Sequence, residues 1–484
     1  MKKLVLAVID GAKPAMLERA VKTGRAPTLA RMMQEGVYVD DCVAAFPSVT
    51  PVCATSIATG VGPDEHRIPS MNWYHRGEQR YVEYGSSFQA TRAFGWHRSL
   101  TDTIYNMNLG HLSRDVRTVF EVLDDADVRT ACTTFLIYRG RHRHEVSRET
   151  PLARLVTSTL FRHGVYGPRE LFYADIFASR ATGCRGQLGM PGLRDQHSGC
   201  VGAYLLEHDL FDFLLLSLPD NDTISHRDGP SAQVGSIAAA DRQLERLAHA
   251  AGGIDEFLAT HAVIVAADHS HALVEESVTL ADAFAGWQIA RPNERSGSTA
   301  EIALCPAGRS AQVYILDPER RAKLLPRVAA TAGACEGVDL VLWRDGQEGV
   351  ISAGGRGELR FAPGGDLVDP GGKSWSVDGD LAVLEARRRD GVLRCDAYPN
   401  ALARAWSALC CSTAGDVLLS AAAGWEFVDW GGVDHVGGGS HGSLHRSDSL
   451  GALLWCGTGP DDRQARSQWT LADVLPMISA HFLT

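Results

Sequence analysis

The chain has 484 residues, of which 45% are hydrophobic and 22% are charged. This mixture is usual for globular proteins and excludes collagen-like, disordered and small disulfide-stapled classes. Lysine and arginine number 47 against 58 aspartate and glutamate, which gives a formal net charge of −11. Because non-specific nucleic-acid binding needs a basic surface, we expect no nucleic-acid polymer as a partner. The length predicts two or three domains, or one large α/β domain with an insertion.

The first predicted element is a buried strand at residues 4–9, a run of six apolar residues that ends at Asp10. The run is too short for the apolar region of a signal peptide, and no small-residue cleavage site follows it. No stretch of the chain approaches the roughly 18 consecutive apolar residues of a membrane-spanning helix. We therefore expect neither an export signal nor a membrane span.

Four more short apolar runs follow, and amphipathic segments typical of helices lie between them. Continuous rather than alternating hydrophobicity indicates strands that are buried on both faces, as in a parallel sheet. The alternation predicts an α/β fold with a mostly parallel central sheet and helices on both faces. The further predicted strands are residues 130–137, 211–218, 262–267 and 452–456, and the predicted helices include residues 27–35, 113–125 and 232–251.

The character of the sequence changes between residues 273 and 423, where Gly- and Pro-rich turns separate short alternating segments such as residues 311–316 and 381–386. Turns of this kind between short strands predict an inserted α+β subdomain at 273–423. Core-like sequence resumes at residues 416–420. The catalytic core is then predicted to comprise residues 1–272 and 424–484.

The eleven cysteines show no spacing typical of a zinc site or a redox pair. Their number is odd, and the adjacent Cys410 and Cys411 would be awkward disulfide partners. We therefore expect reduced, mostly buried cysteines and a cytoplasmic protein.

Carboxylates and histidines follow three of the predicted strands. Ligands of open α/β sheets bind outside the carboxyl ends of the strands, so these side chains should meet at one edge. Carboxylates gathered there repel one another unless a cation lies among them, and aspartate with neutral histidine is a zinc-type ligand set. A single aspartate after a strand is more often a helix cap or turn residue, but three such strand ends are harder to explain in that way. The side chains are Asp10, Asp220, Asp222, His226, Asp268 and His269, with His441 in a later glycine- and serine-rich segment.

The small, hydroxyl-rich segment 46–60 is a candidate for a nucleophile. Small residues after Thr50 favour a helix whose N-terminus faces an anion, because free N–H groups and the helix dipole attract phosphate there. Thr50 beside a metal ion could be deprotonated and attack phosphorus. Without nearby metal ligands, an ordinary threonine helix cap is the better interpretation.

Five motifs, in order along the chain, resemble the type I phosphodiesterase/nucleotide pyrophosphatase branch of the alkaline phosphatase superfamily. With the strand pattern, the resemblance covers most of residues 1–272 and 415–484. It implies an alkaline-phosphatase-like fold and a small-molecule phosphoryl substrate. The motifs are residues 8–11, the 46–60 segment, residues 222–230, residues 267–270 and residues 440–443.

The resemblance also implies a site with two divalent metal ions, which in this family are usually zinc. Thr50 would be the nucleophile and would form a covalent phospho-enzyme. One ion would be held by Asp10, Thr50, Asp268 and His269, and the other by Asp222, His226 and His441.

Three departures from the family pattern concern the substrate more than the chemistry. The family's Asp-x-x-x-His spacing selects Asp222 as the ligand and leaves Asp220 as a supporting or turn residue. The Phe-Pro-Asn-His that follows the nucleophile in the family is absent after Thr50. Asn72, one position late, is a candidate to bind a non-bridging phosphoryl oxygen, and the alternative is an exposed loop amide.

The leading hypothesis is a metal-dependent phosphodiesterase or nucleotide pyrophosphatase. A C–P bond hydrolase similar to phosphonoacetate hydrolase, or a phosphomonoesterase, is the alternative, because the same ligands would serve each. A non-catalytic metal- or phosphoryl-binding protein is disfavoured, since all seven catalytic positions hold competent residues. His271, His435 and His445 lie near motif residues and could orient ligands, although loop or packing histidines are the commoner case.

Overall fold

An eight-stranded central sheet organises the computed structural model, which describes residues 1–146, 163–173, 176–184, 193–293 and 299–483. The five strands from His261–Ala266 to Glu170–Tyr173 are parallel to one another, and antiparallel strands flank them. The predicted α/β fold with a mostly parallel sheet is confirmed. In spatial order the strands are Val37–Val43, Leu450–Cys456, His261–Ala266, Lys3–Ile9, Phe213–Leu218, Thr130–Thr133, Glu170–Tyr173 and Phe177–Ala178.

Alternate residues of the central strands enter separate hydrophobic cores on the two faces of the sheet. Leu4, Leu6 and Val8 pack into one core, whereas Val5 and Ala7 pack into the other. Burial on both faces is why these strands read as continuous apolar runs. The α-helices around the sheet are Pro14–Lys22, Pro27–Glu35, Thr50–Thr59, Pro63–His66, Phe88–Phe94, Trp96–Thr101, Val119–Asp124, Arg194–Glu207, Asp220–Asp228, Gln233–Ala250, Ile254–Thr260, Arg446–Ser449 and Val474–Leu483, with a π-helix at Asp102–His111.

Several predicted elements differ from the structure, and the strand predicted at 130–137 ends at Thr133. The strand Leu450–Cys456 runs antiparallel to both of its neighbours, although its apolar run was predicted as part of a parallel arrangement. The reason is that burial on both faces gives the same pattern in either direction. The predicted helix at 113–125 is shorter, because Thr118 caps a helix that begins at Val119 and ends at Asp124.

A second, nine-stranded and mostly antiparallel sheet comes from residues 302–421. The strand Val417–Ala421 belongs to this sheet, so the expectation that the core resumes at 416–420 is wrong. Residues 381–384 form a 3-10 turn rather than an alternating strand. The limits of the inserted subdomain, 273–423, stay a prediction. The strands are Ile302–Ala307, Ser310–Ile315, Val417–Ala421, Val338–Asp345, Glu348–Ala353, Gly357–Val368, Val392–Arg394, Arg387–Arg389 and Ser374–Gly379, and the helices beside them are Leu280–Ala283, Arg321–Gly333 and Ala401–Cys410.

Four two-stranded ribbons complete the described strands. Within the described ranges, no helix has both the length and the apolar composition needed to cross a membrane. The ribbons pair Ala272–Leu273 with Gly439–Ser440, Glu276–Val278 with Trp425–Phe427, Asn72–His75 with Arg80–Glu83, and His142–His144 with Val165–Gly167.

One pair of cysteines differs from the prediction that the cysteines are reduced. Cys184 and Cys200 form a disulfide, so the prediction that the cysteines are reduced is wrong for these two. Nine others are free thiols, most of them buried. Disulfides are rare in reducing compartments, so the cysteine argument for a cytoplasmic location does not extend to this pair, and that location stays a prediction.

Glu83, at the end of the strand Arg80–Glu83, gives a testable pH effect on stability. Its Oε1 accepts the backbone N–H groups of Gly85 at 2.9 Å and Ser86 at 2.6 Å, whereas its buried Oε2 has no partner within the described ranges. Burial raises the pKa of Glu83 from 4.5 to about 7. Between those values the unfolded chain releases the proton first, so the folded state loses stability as pH rises, by about 3 kcal/mol at most.

Glu83→Gln removes this titration, and we expect its melting temperature to rise relative to wild type between pH 5 and pH 8. Thermal unfolding at both pH values measures the change. Glu65→Gln, at an exposed position, is the matched control, and its melting temperature relative to wild type should be the same at both pH values. A constant difference between Glu83→Gln and wild type at the two pH values would contradict the expected effect.

Candidate metal centre

The strands position the first carboxylates at one edge of the central sheet. Lys3–Ile9 pairs in parallel with His261–Ala266, with Val8 opposite Ala266. Asp10 and Asp268 follow these two strands and therefore leave the sheet at the same edge. The edge is the carboxyl edge, where ligands of open α/β sheets bind.

A first group of potential metal ligands consists of Asp10, Asp268 and His269, whose ligand atoms lie within 4.8 Å of one another. The Nε2 atom of His269 lies 3.5 Å from Asp10 Oδ1 and 3.5 Å from Asp268 Oδ2. The other oxygen of Asp268, Oδ1, accepts the backbone N–H groups of Gly11 at 2.9 Å and His269 at 3.0 Å. These bonds fix the carboxylate with Oδ2 toward the histidine.

Thr50 is the first residue of the buried helix Thr50–Thr59. Its Oγ1 lies 3.1 Å from His269 Nε2, directly beside the first group. The N-cap of this helix is Val49, which has extended backbone angles, so Thr50 is not an ordinary threonine cap. Its hydroxyl is thus placed at a helix N-terminus and next to potential metal ligands.

A second group consists of Asp222, His226, His271 and His441. Asp222 and His226 are one turn apart on the helix Asp220–Asp228, which follows the strand Phe213–Leu218, so both lie on one helix face. From Asp222 Oδ1, the Nε2 atoms lie at 3.3 Å for His226, 3.0 Å for His271 and 3.5 Å for His441. The two groups adjoin, because the rings of His269 and His441 stack with centroids 3.6 Å apart.

The segment before Thr50 is fixed to the loop that carries His441. His441 Nδ1 donates to the carbonyl of Ser48 at 2.8 Å, and Ser48 Oγ donates to the carbonyl of Ser443 at 2.9 Å. The second sheet contributes as well, because the backbone N–H of Arg309 donates to the carbonyl of His441 at 2.7 Å. The nucleophile candidate and a distant ligand candidate are therefore held in one hydrogen-bonded unit.

The electrostatics of the first group fit a bound cation. Burial, followed by the charges of Asp268 and Asp222, raises the pKa of Asp10 well above its ordinary value. Burial also raises the pKa of Asp268 to about 6. Asp10 Oδ1 is buried and has no hydrogen-bond partner in the part of the chain that the structure describes. An orphaned carboxylate oxygen among buried acids is what a divalent cation would satisfy.

In the second group the pKa of the carboxyl group is lowered rather than raised. Burial opposes ionisation of Asp222, but the charge of His226 and hydrogen bonds from His226, His271 and His441 hold its pKa well below the ordinary value. Burial lowers the pKa of His271, which favours the neutral imidazole, whereas the hydrogen bond and charge of Asp222 outweigh burial at His441 and raise its pKa. Neutral imidazole and ionised carboxylate are the forms that bind metal ions.

Asp220, the alternative to Asp222 in the sequence, lies outside both groups. Its Oδ1 accepts from Arg194 Nε at 3.1 Å, and its Oδ2 accepts from the backbone N–H of Asp195 at 3.1 Å. Asp195 returns the contact by accepting the N–H of Asp220 at 3.0 Å. Asp220 is thus committed to joining two helix N-termini.

Asn72 is 2% exposed, so the alternative of an exposed loop amide is wrong. Its Nδ2 donates to the carbonyl of Pro306, and its Oδ1 has no partner. Among the described contacts, none joins Asn72 to either ligand group. Its role in binding a phosphoryl oxygen stays a prediction.

His271 is the residue that sequence reasoning undervalued. Its position two residues after His269 was a signal, but a histidine near a motif is more often a packing residue. The structure buries it completely and places its Nε2 against Asp222. His435 also lies close, with its ring centroid 4.1 Å from that of His226, whereas His445 caps the helix Arg446–Ser449.

Comparisons with known proteins show similar folds and a family match. The chain is similar in structure to phosphonoacetate hydrolase from Sinorhizobium meliloti 1021, at 17% identity and a TM-score of 0.56 over 98% of this chain and 94% of that one. It is also similar to murine ectonucleotide pyrophosphatase/phosphodiesterase 5, at 11% identity and a TM-score of 0.60 over 99% and 95%. The human form of the latter gives 11%, a TM-score of 0.58, and 99% and 95%. At these identities the likeness concerns the fold.

No curated protein matches the sequence significantly. The family model of type I phosphodiesterase / nucleotide pyrophosphatase matches residues 4–344, which is most of the chain. The chain therefore belongs to the type I phosphodiesterase/nucleotide pyrophosphatase family, hydrolases that act on phosphoric ester bonds.

Proposed function

We propose that this chain is a metal-dependent phosphodiesterase or nucleotide pyrophosphatase that acts on small-molecule substrates through a phospho-enzyme on Thr50. The observation that carries the proposal is the position of Thr50 Oγ1, 3.1 Å from His269 Nε2, at a helix N-terminus beside the first ligand group. A hydroxyl in that place can meet an anionic phosphoryl group, because the helix dipole attracts negative charge.

The ligand groups fit two divalent ions, which we take to be Zn²⁺ because the donors are imidazole nitrogens and carboxylate oxygens. Such ions, when bound, neutralise the phosphoryl oxygens and favour the ionised threonine hydroxyl. The first ion would be held by Asp10, Thr50, Asp268 and His269, and the second by Asp222, His226 and His441.

The residues of the chain then have distinct tasks. Thr50 Oγ1 forms a bond to phosphorus while the bond from phosphorus to the leaving oxygen breaks, and water later hydrolyses the threonine phosphate. The stacked rings of His269 and His441 keep the two groups adjacent. His441 Nδ1 donates to the carbonyl of Ser48, and Ser48 Oγ donates to that of Ser443, which joins the segment before Thr50 to the loop of His441.

Two relatives support a phosphoryl ligand and a catalytic threonine. Murine ectonucleotide pyrophosphatase/phosphodiesterase 5 was solved as an inactive variant, with a threonine replaced by alanine, in complex with AMP. Phosphonoacetate hydrolase was solved in complex with phosphonoformate. Cleavage of a C–P bond is the second candidate function, favoured by the higher identity to phosphonoacetate hydrolase, 17% against 11%.

The test is a substrate panel with metal removal. The protein is stripped with EDTA, reloaded with Zn²⁺ and assayed with bis-p-nitrophenyl phosphate, p-nitrophenyl phosphate and phosphonoacetate. We expect hydrolysis of the diester to be fastest, to vanish on stripping and to return with zinc. Turnover of phosphonoacetate alone would assign the second candidate. Activity that survives stripping, or no activity on any substrate with zinc, would contradict the proposal.

A further inference from the structure

His271 shares the second ligand group but differs from the other histidines of the site. Its side chain is fully buried, and its Nε2 lies 3.0 Å from Asp222 Oδ1, closer than the Nε2 of His226 or His441. Distance alone would make it a fourth ligand of the second ion. The contacts of the other ring nitrogen, Nδ1, distinguish a metal ligand from a hydrogen-bond donor to Asp222.

A histidine that binds a metal through Nε2 carries its proton on Nδ1, and that N–H needs an acceptor. The other histidines of both groups meet this requirement with a backbone carbonyl. Nδ1 lies 2.7 Å from the carbonyl of Gly439 in His226, 2.8 Å from that of Ser48 in His441, and 3.2 Å from that of Ser270 in His269.

His271 does not meet it, because its Nδ1 is buried and has no hydrogen-bond partner among the described residues. A metal bond through Nε2 would therefore leave a buried N–H donor unsatisfied, which costs free energy. With the proton on Nε2, the donor is satisfied by Asp222, and only an acceptor lone pair is left. The contact at 3.0 Å is within the range of an N–H···O hydrogen bond.

The ring of His271 has little freedom to change this arrangement. A Cβ atom on Gly11, whose φ is +65°, would lie 2.5 Å from His271 Nε2, and one on Gly439 would lie 3.2 Å from Nδ1. The backbone is fixed as well, because Lys13 Nζ donates to the carbonyl of His271 at 2.8 Å. The imidazole is thus confined between two glycines, with its Nε2 edge toward Asp222.

We propose that His271 is a positioning residue rather than a ligand: its Nε2–H donates to Asp222 and orients that carboxylate toward the second ion. The inference rests on the proposed function and deepens it. It leaves the second ion with three protein ligands, Asp222, His226 and His441, and therefore with a position open to substrate or water. Catalytic zinc sites keep an open position of this kind.

Two replacements of His271 separate the roles. In His271→Gln the amide N–H₂ takes the place of Nε2–H and can still donate to Asp222, but glutamine is a poor zinc ligand. We expect His271→Ala to weaken binding of the second zinc ion by about 10–100-fold, measured by chelator competition, and His271→Gln to restore most of that affinity. The kcat for the diester should likewise be lower in His271→Ala than in His271→Gln. His208→Gln, on an exposed histidine, is the control for the same chemical change.

Equal loss of the second ion in both variants would overturn the positioning role and make His271 a ligand. No loss in His271→Ala would overturn it too. A measurement on the wild-type protein covers the case in which a variant fails to fold. In the protein loaded with Co²⁺, hyperfine-shifted NMR signals count the bound imidazoles, and we expect three, from His226, His269 and His441. Four would overturn the proposal.

These outcomes are distinct from failure of the proposed function. If wild-type protein binds fewer than two ions, the two-metal proposal itself fails, and with it the positioning role. If wild-type protein binds two ions and hydrolyses the diester but His271→Gln behaves as His271→Ala, only the role of His271 is wrong.

Discussion

Thr50→Ala should lower kcat for the diester by about three orders of magnitude or more, because the substitution removes the atom that attacks phosphorus. The hydroxyl lies 3.1 Å from His269 Nε2, and alanine offers no replacement. Zinc content should stay near two ions per chain, since Asp10, Asp268 and His269 remain in the first group. Steady-state kinetics and metal analysis of the same preparation measure both quantities.

Two further variants make this result specific. Thr50→Ser keeps a hydroxyl and should retain part of the activity, together with a phospho-enzyme that can be trapped with labelled substrate. Thr59→Ala is the matched control, because Thr59 lies in the same helix and its hydroxyl bonds only to the carbonyl of Thr55 in the described contacts. Equal activity of Thr50→Ala and wild type with zinc supplied would show that another group attacks phosphorus.

Asp222→Asn and Asp220→Asn should have opposite effects, although the two residues are two positions apart. Asp222→Asn should lower the metal content from about two ions to about one and reduce kcat by more than about 100-fold, since even supporting residues of metal sites are worth about 10–100-fold. Asp220→Asn should keep both ions, because Asp220 contacts Arg194 and the backbone of Asp195 instead.

The cost of Asp220→Asn should appear in stability. The substitution removes the charge that pairs with Arg194, and the variant should melt at a lower temperature than wild type. Metal analysis, kinetics and thermal unfolding of the two variants form the test. Loss of the second ion in Asp220→Asn, with Asp222→Asn unchanged, would reverse the ligand assignment.

The sequence predicted the central strands well, because burial on both faces leaves a continuous apolar run, although the run at 130–137 extends beyond its strand, which ends at Thr133. Asp10, Asp222 and Asp268 were found for that reason, since each follows such a run at a shared edge. The direction of the strand Leu450–Cys456 could not be predicted, because a continuous apolar run is expected for a buried strand in either direction. The pairing of Cys184 with Cys200 was equally hidden, since it depends on distances that spacing does not encode.

The role of His271 shows a further limit of the sequence. Whether a histidine binds a metal or supports a ligand depends on which ring nitrogen has an acceptor. That acceptor is supplied by backbone carbonyls such as those of Ser48 and Gly439, which are remote in sequence from the rings they contact. No spacing rule reports such contacts. The position of Asn72 against Pro306 depends in the same way on a strand 234 residues further along the chain.

The place of the strand Leu450–Cys456 constrains how the protein can be made. It lies between Val37–Val43 and His261–Ala266. The early strand Val37–Val43 therefore has no neighbour in the central sheet until Leu450–Cys456 has left the ribosome. His441 is synthesised only a few residues earlier. A nascent chain therefore carries an unpaired strand for most of its synthesis, a state prone to aggregation. The proposed two-ion site likewise lacks one of its ligands until His441 has been synthesised.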